Sequence, residues 1–135
     1  MAHSCNLKGE WGAGIALALK ERFYNSYLEQ KELCSEPSIS FGLCLGDYHL
    51  TKEDGFNIIS LFTSVGYGKN KSSKGIILRS TRESLISLFR ETEIDHLYIP
   101  KINSGYFGVP WESTEKVLLE VLELSPGKKI TVRTF

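Results

Sequence analysis

The stretch PKINSGYFGVPW, residues 100–111, decides the fold of this chain. It leaves a short apolar run, crosses two glycines and opens an amphipathic helix, and the stretch HSCNLKGEWGAGIA, residues 3–16, has the same arrangement. Backbone N–H groups at a helix N-terminus lack partners within the helix, and the helix dipole is positive there. Since glycines allow close approach, each stretch predicts a phosphate-binding site. Two such sites indicate a ligand with phosphate at more than one point.

Strands and helices alternate along the rest of the chain. We predict strands at 1–5, 39–45, 56–63, 96–100 and 129–135, and helices at 11–24, 26–34, 75–90 and 110–122. Asp54-Gly55 is a turn signal for a hairpin that ends in the strand at 56–63, and Pro110 suits the first turn of a helix. This order predicts one domain, residues 1–135, with a three-layer α/β/α fold on a mixed sheet. Ligands of such sheets lie at the carboxyl ends of strands, where both glycine stretches fall.

Composition argues against several classes of partner. Lys plus Arg and Asp plus Glu number 16 each, so no basic field favours nucleic acid, and no apolar run approaches the roughly 20 residues that span a bilayer. The three cysteines and three histidines show no metal-binding spacing. We therefore expect no metal, no cofactor, no nucleic acid and no membrane. An odd number of cysteines without C-x-x-C spacing favours reduced thiols and hence the cytoplasm, with the nucleus as a second location. We also expect a monomer.

Several motifs together make the chain similar to a known family. They are His3-Ser4-Cys5-Asn6, the turn at 11–16, Leu61-Phe62-Thr63-Ser64 and the stretch at 102–111. In this combination and order the chain resembles macro domains over essentially its whole length. Within that superfamily it is most similar to the fungal ADP-ribose 1″-phosphate phosphatases. The resemblance implies a macro domain-like sandwich with an ADP-ribose cleft between the two glycine stretches.

The resemblance also implies which residues would meet ADP-ribose. On one side, contacts with the distal ribose and the pyrophosphate would come from Ser4, Cys5, Asn6, Trp11, Gly12, Ala13, Gly14, Ile15 and Ala16. On the other side, the phosphates would be wrapped by Ile102, Asn103, Ser104, Gly105, Tyr106, Phe107 and Gly108. The amide of Asn6 offers a donor and an acceptor for ribose hydroxyls, and Tyr67 is a candidate for closing over the ligand.

Removal of a phosphate from the distal ribose needs a proton for the leaving oxygen and donors for the phosphoryl charge. His3 is the histidine beside the first glycine stretch, and its ordinary pKa of about 6.5 suits proton transfer. We therefore predict His3 as the acid–base catalyst, with Asn6 and the amides of residues 104–108 holding the phosphate. The alternative is a strand-end histidine bonded to backbone. Cys5 lacks a Cys-x5-Arg loop, so we expect it to be a small buried hydrophobe.

The chain departs from the family pattern at two places. Macro domains begin with a strand and a Lys-Gly-Asp/Asn-Ile/Leu turn that meets adenine, whereas this sequence starts directly at Met1-Ala2-His3. We therefore expect an N-terminally truncated macro domain. Relatives that remove ADP-ribose from glutamate use a Lys and an Asp where this chain has Ser64 and Phe107, which argues against their covalent chemistry.

The predicted function is hydrolysis of ADP-ribose 1″-phosphate, a by-product of tRNA splicing, to ADP-ribose and phosphate without a metal. The alternative is a non-catalytic ADP-ribose-binding module or an ADP-ribosyl hydrolase of the macro domain type, with ADP-ribosylated protein as a second partner. A third reading is a fragment that does not bind.

Overall fold

The computed structural model describes residues 1–12, 14–35 and 43–133 of the chain. Its elements, in chain order, are β1 Ala2–Asn6, α1 Gly14–Arg22, α2 Tyr24–Leu33, β2 Tyr48–Glu53, β3 Phe56–Ser64, α3 Lys74–Glu91, β4 His96–Ile99, α4 Trp111–Leu124 and β5 Lys129–Val132. A short 3₁₀ turn, Gly68–Asn70, interrupts the loop between β3 and α3. Strands and helices therefore alternate as the sequence predicts.

The strands form two hydrogen-bonded sheets that lie side by side. In one sheet β1 runs parallel to β3 and β2 runs antiparallel to it, and in the other β4 runs parallel to β5. β1 packs next to β4, so the strands lie in the order β5-β4-β1-β3-β2. All of them except β2 point the same way, and their carboxyl ends meet along one edge of the molecule.

Helices cover both faces of the strands because β3 is apolar on both faces. Ile58 and Phe62 pack under α1 and α2, with Cys5, Trp11, Leu19, Phe23, Tyr27 and Cys34. Ile59 and Leu61 face the opposite way, and their neighbours under α3 and α4 are Ala2, Leu85, Leu88, Phe89, Leu97, Ile99, Ile102, Leu118 and Val121. A strand buried on both faces is typical of the middle layer of a three-layer α/β/α fold. The predicted fold class is confirmed.

The hairpin has the predicted turn but a different first strand. Asp54 and Gly55 have φ of 51° and 81°, the left-handed pair that a tight two-residue hairpin turn requires. This turn pairs Glu53 with Phe56, so the partner of β3 is Tyr48–Glu53. The predicted strand at 39–45 was wrong in its described part, since residues 43–45 lie in no strand, and residues 39–42 lie outside the described residues. A two-residue turn pairs the segments that directly flank it, so the partner of β3 had to end at Glu53. The prediction instead chose the run at 39–45 because it is more apolar.

Helix boundaries also differ from the prediction at the first glycine stretch. The helix expected from residue 11 begins at Gly14, and the chain leaves helical geometry at Phe23, where φ is −128° and ψ is 62°. Phe23 is buried, so its side chain stays in the core while α2 starts in a new direction at Tyr24. Pro110 caps α4, as its missing N–H suits. Within the described residues, the helices are too short or too polar to cross a bilayer.

Candidate functional site

A cleft of about 900 Å³ lies at the carboxyl ends of the parallel strands. The four strands whose ends meet there are β5, β4, β1 and β3. Arg133 follows β5, residues 100–107 follow β4, Asn6 ends β1, and Tyr67 lies beyond β3; all of these line the cleft. The cleft thus reaches across four strands and suits an elongated ligand.

The two predicted glycine stretches form facing walls of this cleft. The described residues of the first wall that line it are Ser4, Asn6, Glu10, Gly12, Gly14, Ile15, Ala16 and Ala18. Those of the second wall are Pro100, Lys101, Ile102, Asn103, Ser104, Gly105, Tyr106 and Phe107. Twelve of the predicted site residues therefore lie together, while Ala13 lies outside the described residues.

On the first wall, the side chain of Asn6 holds the turn that follows β1. Its Oδ1 accepts hydrogen bonds from the backbone N–H of Lys8 at 2.9 Å and of Glu10 at 3.4 Å. Its Nδ2 donates to the backbone oxygen of Glu10 at 3.1 Å. These bonds hold the turn and place Glu10 at the cleft, while Asn6 itself lines the cleft and keeps a second Nδ2 proton. The expected use of this amide on ribose hydroxyls or phosphate stays a prediction.

Gly14 begins α1 with a φ of 59°, a left-handed conformation that glycine adopts without strain. A Cβ atom built on it would lie 3.7 Å from Cε2 of Tyr106 on the other wall. The two walls therefore approach each other at the N-terminus of α1. A ligand phosphate has close access to the first turn of this helix because residue 14 carries no side chain.

On the second wall, Asn103 joins three elements. Its Oδ1 accepts from Ser4 Oγ of β1 at 2.7 Å. Its Nδ2 donates to Thr81 Oγ1 of α3 at 3.0 Å and to Thr114 Oγ1 of α4 at 3.4 Å. Asn103 also has a φ of 67°, which is unusual for any residue but glycine. Asn103, which is predicted to contact the ligand, therefore also ties β1, α3 and α4 together.

The loop beyond Asn103 turns back on itself and exposes an aromatic tip. The backbone N–H of Gly108 donates to the oxygen of Gly105 at 3.0 Å, and that of Val109 donates to the oxygen of Asn103 at 2.8 Å. Tyr106 lies at the tip of this turn and is 75% exposed. Its ring is consequently available to a ligand in the cleft.

The third part of the cleft comes from the loop after β3. Ser64 Oγ donates to the oxygen of Gly66 at 2.7 Å and accepts from the backbone N–H of Ser72 at 2.8 Å, which closes the loop. A Cβ on Gly66 would lie 2.7 Å from the oxygen of Asn70, so this tight loop requires glycine. Tyr67, which the sequence suggested as a closing residue, lies at the rim of the cleft.

His3 does not lie where the sequence suggested. It is fully buried under α1 and α2 and does not line the cleft. Its Nε2 lies 3.3 Å from Ser60 Oγ, and its ring packs edge-on against Trp11 with centroids 4.5 Å apart. Burial lowers the pKa of His3 to about 3. The expected acid–base role at the lip is thereby corrected, because a neutral, enclosed imidazole can neither reach a ligand nor exchange protons with it.

Three further residues predicted to contact the ligand lie outside the lining of the cleft. Cys5 and Trp11 are buried beside His3 and do not line the cleft, and neither does Gly108. Burial raises the pKa of the Cys5 thiol to about 12, which fits the expected small buried hydrophobe and not a nucleophile. For His3 and Cys5, the alternation of side chains along β1 explains the error, because both face α1 and α2 while Ser4 faces the other way.

Sequence reasoning missed the charged residues of the cleft. Lys101 and Arg133 line it, and the Arg133 guanidinium lies 4.9 Å from the centre of the Tyr98 ring. Glu10 is the only carboxylate among the described lining residues, and its side chain is 44% exposed, 4.0 Å from Lys31 Nζ. The rule that ligands lie at the carboxyl ends of strands points to residue 133, directly after β5. Glu10 gives a weaker signal, since acidic residues in turns are usually only solvated.

The sequence profile of the family described as "Macro domain" matches residues 2–118. This chain belongs to the macro domain family. It is 32% identical to the ADP-ribose 1″-phosphate phosphatase of Meyerozyma guilliermondii, over 87% of this chain and 81% of that protein. It is 37% identical to the protein of the same name from Debaryomyces hansenii, over 87% of this chain and 79% of the relative. The predicted resemblance is confirmed.

Solved structures support the macro domain fold. The macrodomain of Mycobacterium tuberculosis DarG superposes with a TM-score of 0.81 at 21% identity, covering 97% of this chain and 85% of that chain. Thermosipho africanus DarTG in complex with ADP-ribose gives a TM-score of 0.76 at 17% identity, covering 99% of this chain and 37% of that chain. At these identities the likeness concerns the fold alone.

Proposed function

We propose that this macro domain is an ADP-ribose 1″-phosphate phosphatase, which releases phosphate from the distal ribose and leaves ADP-ribose. The observation that carries the proposal is the cleft itself, with the N-terminus of α1 at Gly14 facing the turn at 104–108 across the ends of four parallel strands. The names of the fungal relatives, which match most of this chain, support the same activity.

The two walls suit the separate parts of the substrate. Backbone N–H groups of the first turn of α1 and of residues 104–108 would hold phosphate oxygens, because these donors are fixed before the ligand arrives. Lys101 and Arg133 would add positive charge at the β4 and β5 end of the cleft. A phosphoryl group in this setting is stabilised mainly by position and electrostatics.

Glu10 is the side chain that we assign to proton transfer. Water attacks phosphorus and loses a proton, the bond from phosphorus to the ribose 1″ oxygen breaks, and that oxygen takes up a proton, so that phosphate and a ribose hydroxyl form. The Glu10 carboxylate can accept the proton of the attacking water, since it lines the cleft and its backbone is held by Asn6. Asn6 then contributes by positioning Glu10.

Gly14 offers the sharpest test of the phosphate site. We expect Gly14→Ala to lower kcat/KM for phosphate release from ADP-ribose 1″-phosphate by about a hundredfold, because the new methyl group would occupy the approach to the helix N-terminus. Gly55→Ala is the matched control, since Gly55 also has a positive φ, 81°, but lies in the hairpin turn. Both positions have a positive φ, so both variants carry backbone strain, but only the first should lose activity.

Two results would contradict the phosphatase assignment. Equal activity of the Gly14 and Gly55 variants would place the phosphate elsewhere. Tight ADP-ribose binding by the wild-type protein without any phosphate release would favour the non-catalytic binding module. Action as a cytoplasmic or nuclear monomer, and any contact with ADP-ribosylated protein, belong to this proposal as predictions of the sequence.

A further inference from the structure

We propose that Asn103 is a positioning residue that turns the Ser4 hydroxyl into an acceptor, so that this point of the cleft selects a ligand hydroxyl over a phosphate oxygen. The inference rests on the proposed function, because the hydroxyl in question would belong to the ribose of ADP-ribose. Asn103 acts through Ser4, which itself lines the cleft.

The orientation of the Asn103 amide follows from its neighbours. Thr81 Oγ1 donates its proton to the backbone oxygen of Ile77 at 2.8 Å, so towards Asn103 this hydroxyl can only accept. The Nδ2 side of the amide must therefore face Thr81, and it faces Thr114 as well. Oδ1 is left facing Ser4, 2.7 Å from its Oγ.

This arrangement commits the single proton of Ser4. Because Oδ1 of an amide can only accept, Ser4 must donate to Asn103, and its lone pairs remain for the cleft. A ribose hydroxyl can donate to those lone pairs, whereas a phosphate oxygen cannot. If Ser4 turned to donate to a phosphate, Oδ1 of Asn103 would lose its partner in a residue only 5% exposed.

The backbone of Asn103 supports the same interpretation. Its φ of 67° is unstrained in glycine and merely tolerated in asparagine. An asparagine at this position therefore adds backbone strain that glycine would avoid, and the carboxamide compensates with hydrogen bonds to β1, α3 and α4. Thr81 and Thr114 are fully buried, so the Nδ2 side of the Asn103 amide is held in the core.

The experiment is a double-mutant cycle with Ser4→Ala, Asn103→Gly and the double variant. Glycine keeps the left-handed backbone, so Asn103→Gly removes the amide without adding strain. Dissociation constants are measured for ADP-ribose and, by competition, for inorganic pyrophosphate, which has no sugar hydroxyl. Urea unfolding without ligand gives the stability coupling between the two residues.

We expect each single variant to raise the Kd for ADP-ribose about tenfold, or 1.4 kcal/mol, and the double variant to raise it no further. The Kd for pyrophosphate should stay the same or fall in Asn103→Gly, because the freed Ser4 hydroxyl can donate. Additive losses of about a hundredfold, or parallel loss of pyrophosphate affinity, would overturn the positioning role.

Failure of the proposed function would look different. A wild-type protein that binds pyrophosphate but not ADP-ribose contradicts the phosphatase assignment. In that case the unfolding cycle still decides the role of Asn103, since non-additive stabilities support the bond to Ser4 and additive stabilities overturn it.

Discussion

His3 and Ser4 are adjacent on β1, yet they belong to two different polar clusters. His3 lies under α1 and α2 with Cys5, Ser60 and Gln30, where no part of its ring is exposed. Ser4 lies on the other face and bonds Asn103 at the edge of the cleft. One step along a strand reverses the side chain, so nearness to the glycine stretch in sequence does not place a residue at the ligand.

The two clusters also differ in whether their polar atoms have hydrogen-bond partners. In the cluster around His3, Nε2 of His3 can donate to Ser60 Oγ, which donates to Oε1 of Gln30. Gln30 Nε2 and Trp11 Nε1 have no partner among the described residues. In the cleft cluster both ends of the Asn103 amide are bonded. We interpret the first as part of the core and the second as a support for ligand binding, and four predictions test that division.

The largest expected effect comes from Trp11→Ala. Trp11 is 1% exposed and packs against both His3 and Tyr27, with ring centroids 4.5 and 5.5 Å apart. Its truncation should lower the free energy of unfolding by about 3–5 kcal/mol, as for other large buried aromatics. Urea unfolding measures this loss.

Trp111→Ala is the matched control, since Trp111 begins α4 and is only partly buried. It should cost clearly less. If Trp11→Ala instead left stability unchanged and abolished ADP-ribose binding, Trp11 would be a ligand contact, as the resemblance implied. The cluster around His3 would then not be part of the core.

Substitutions at Glu10 and at His3 should have different effects on kcat. Glu10→Gln removes the only carboxylate of the described cleft lining and should lower kcat for phosphate release about a hundredfold, the lower range for a lost general base. His3→Gln keeps a neutral polar group in the core and should leave kcat of the folded protein within about threefold. Initial rates under saturating substrate measure both, and the reverse order would return catalysis to His3.

Much of the fold follows from the sequence because its signals are local. The apolar run of β3, the Asp54-Gly55 turn and the cap at Pro110 each need only neighbouring residues. The partner of β3 was missed because a polar edge strand such as β2 resembles a loop. At the cleft, the positions of the glycines were predictable from the sequence. Which side of a strand each residue faces was not, and neither was the position of Arg133 in the cleft, because both depend on how the strands pair.

The buried His3 should make stability depend on pH. Its pKa is about 3 in the folded protein and near 6.5 when unfolded, so between these values only the unfolded chain takes up the proton. The free energy of unfolding should therefore fall as pH decreases below about 6.5, by up to about 1.4 kcal/mol per pH unit, and should gain nothing from this group above that pH.

His3→Gln isolates this contribution, because His49, whose pKa is also lowered by burial, titrates in both proteins. Urea unfolding at pH 7 and pH 5 gives the comparison. The wild-type protein should lose more stability over this interval than the variant does. Equal losses would mean that His3 is protonated in the folded protein and therefore open to water.

The smallest effect is expected at the tip of the second wall. Tyr106→Ala should raise the Kd for ADP-ribose about three- to tenfold, because the ring lines the cleft, is 75% exposed and would pack on the ligand. Tyr106→Phe should bind like the wild type if the ring face makes the contact. Unfolding should shift by no more than about 0.5 kcal/mol in either variant. Tyr24→Ala, at a tyrosine 53% exposed on α2, controls for loss of any surface ring, and an equal effect there would remove Tyr106 from the ligand site.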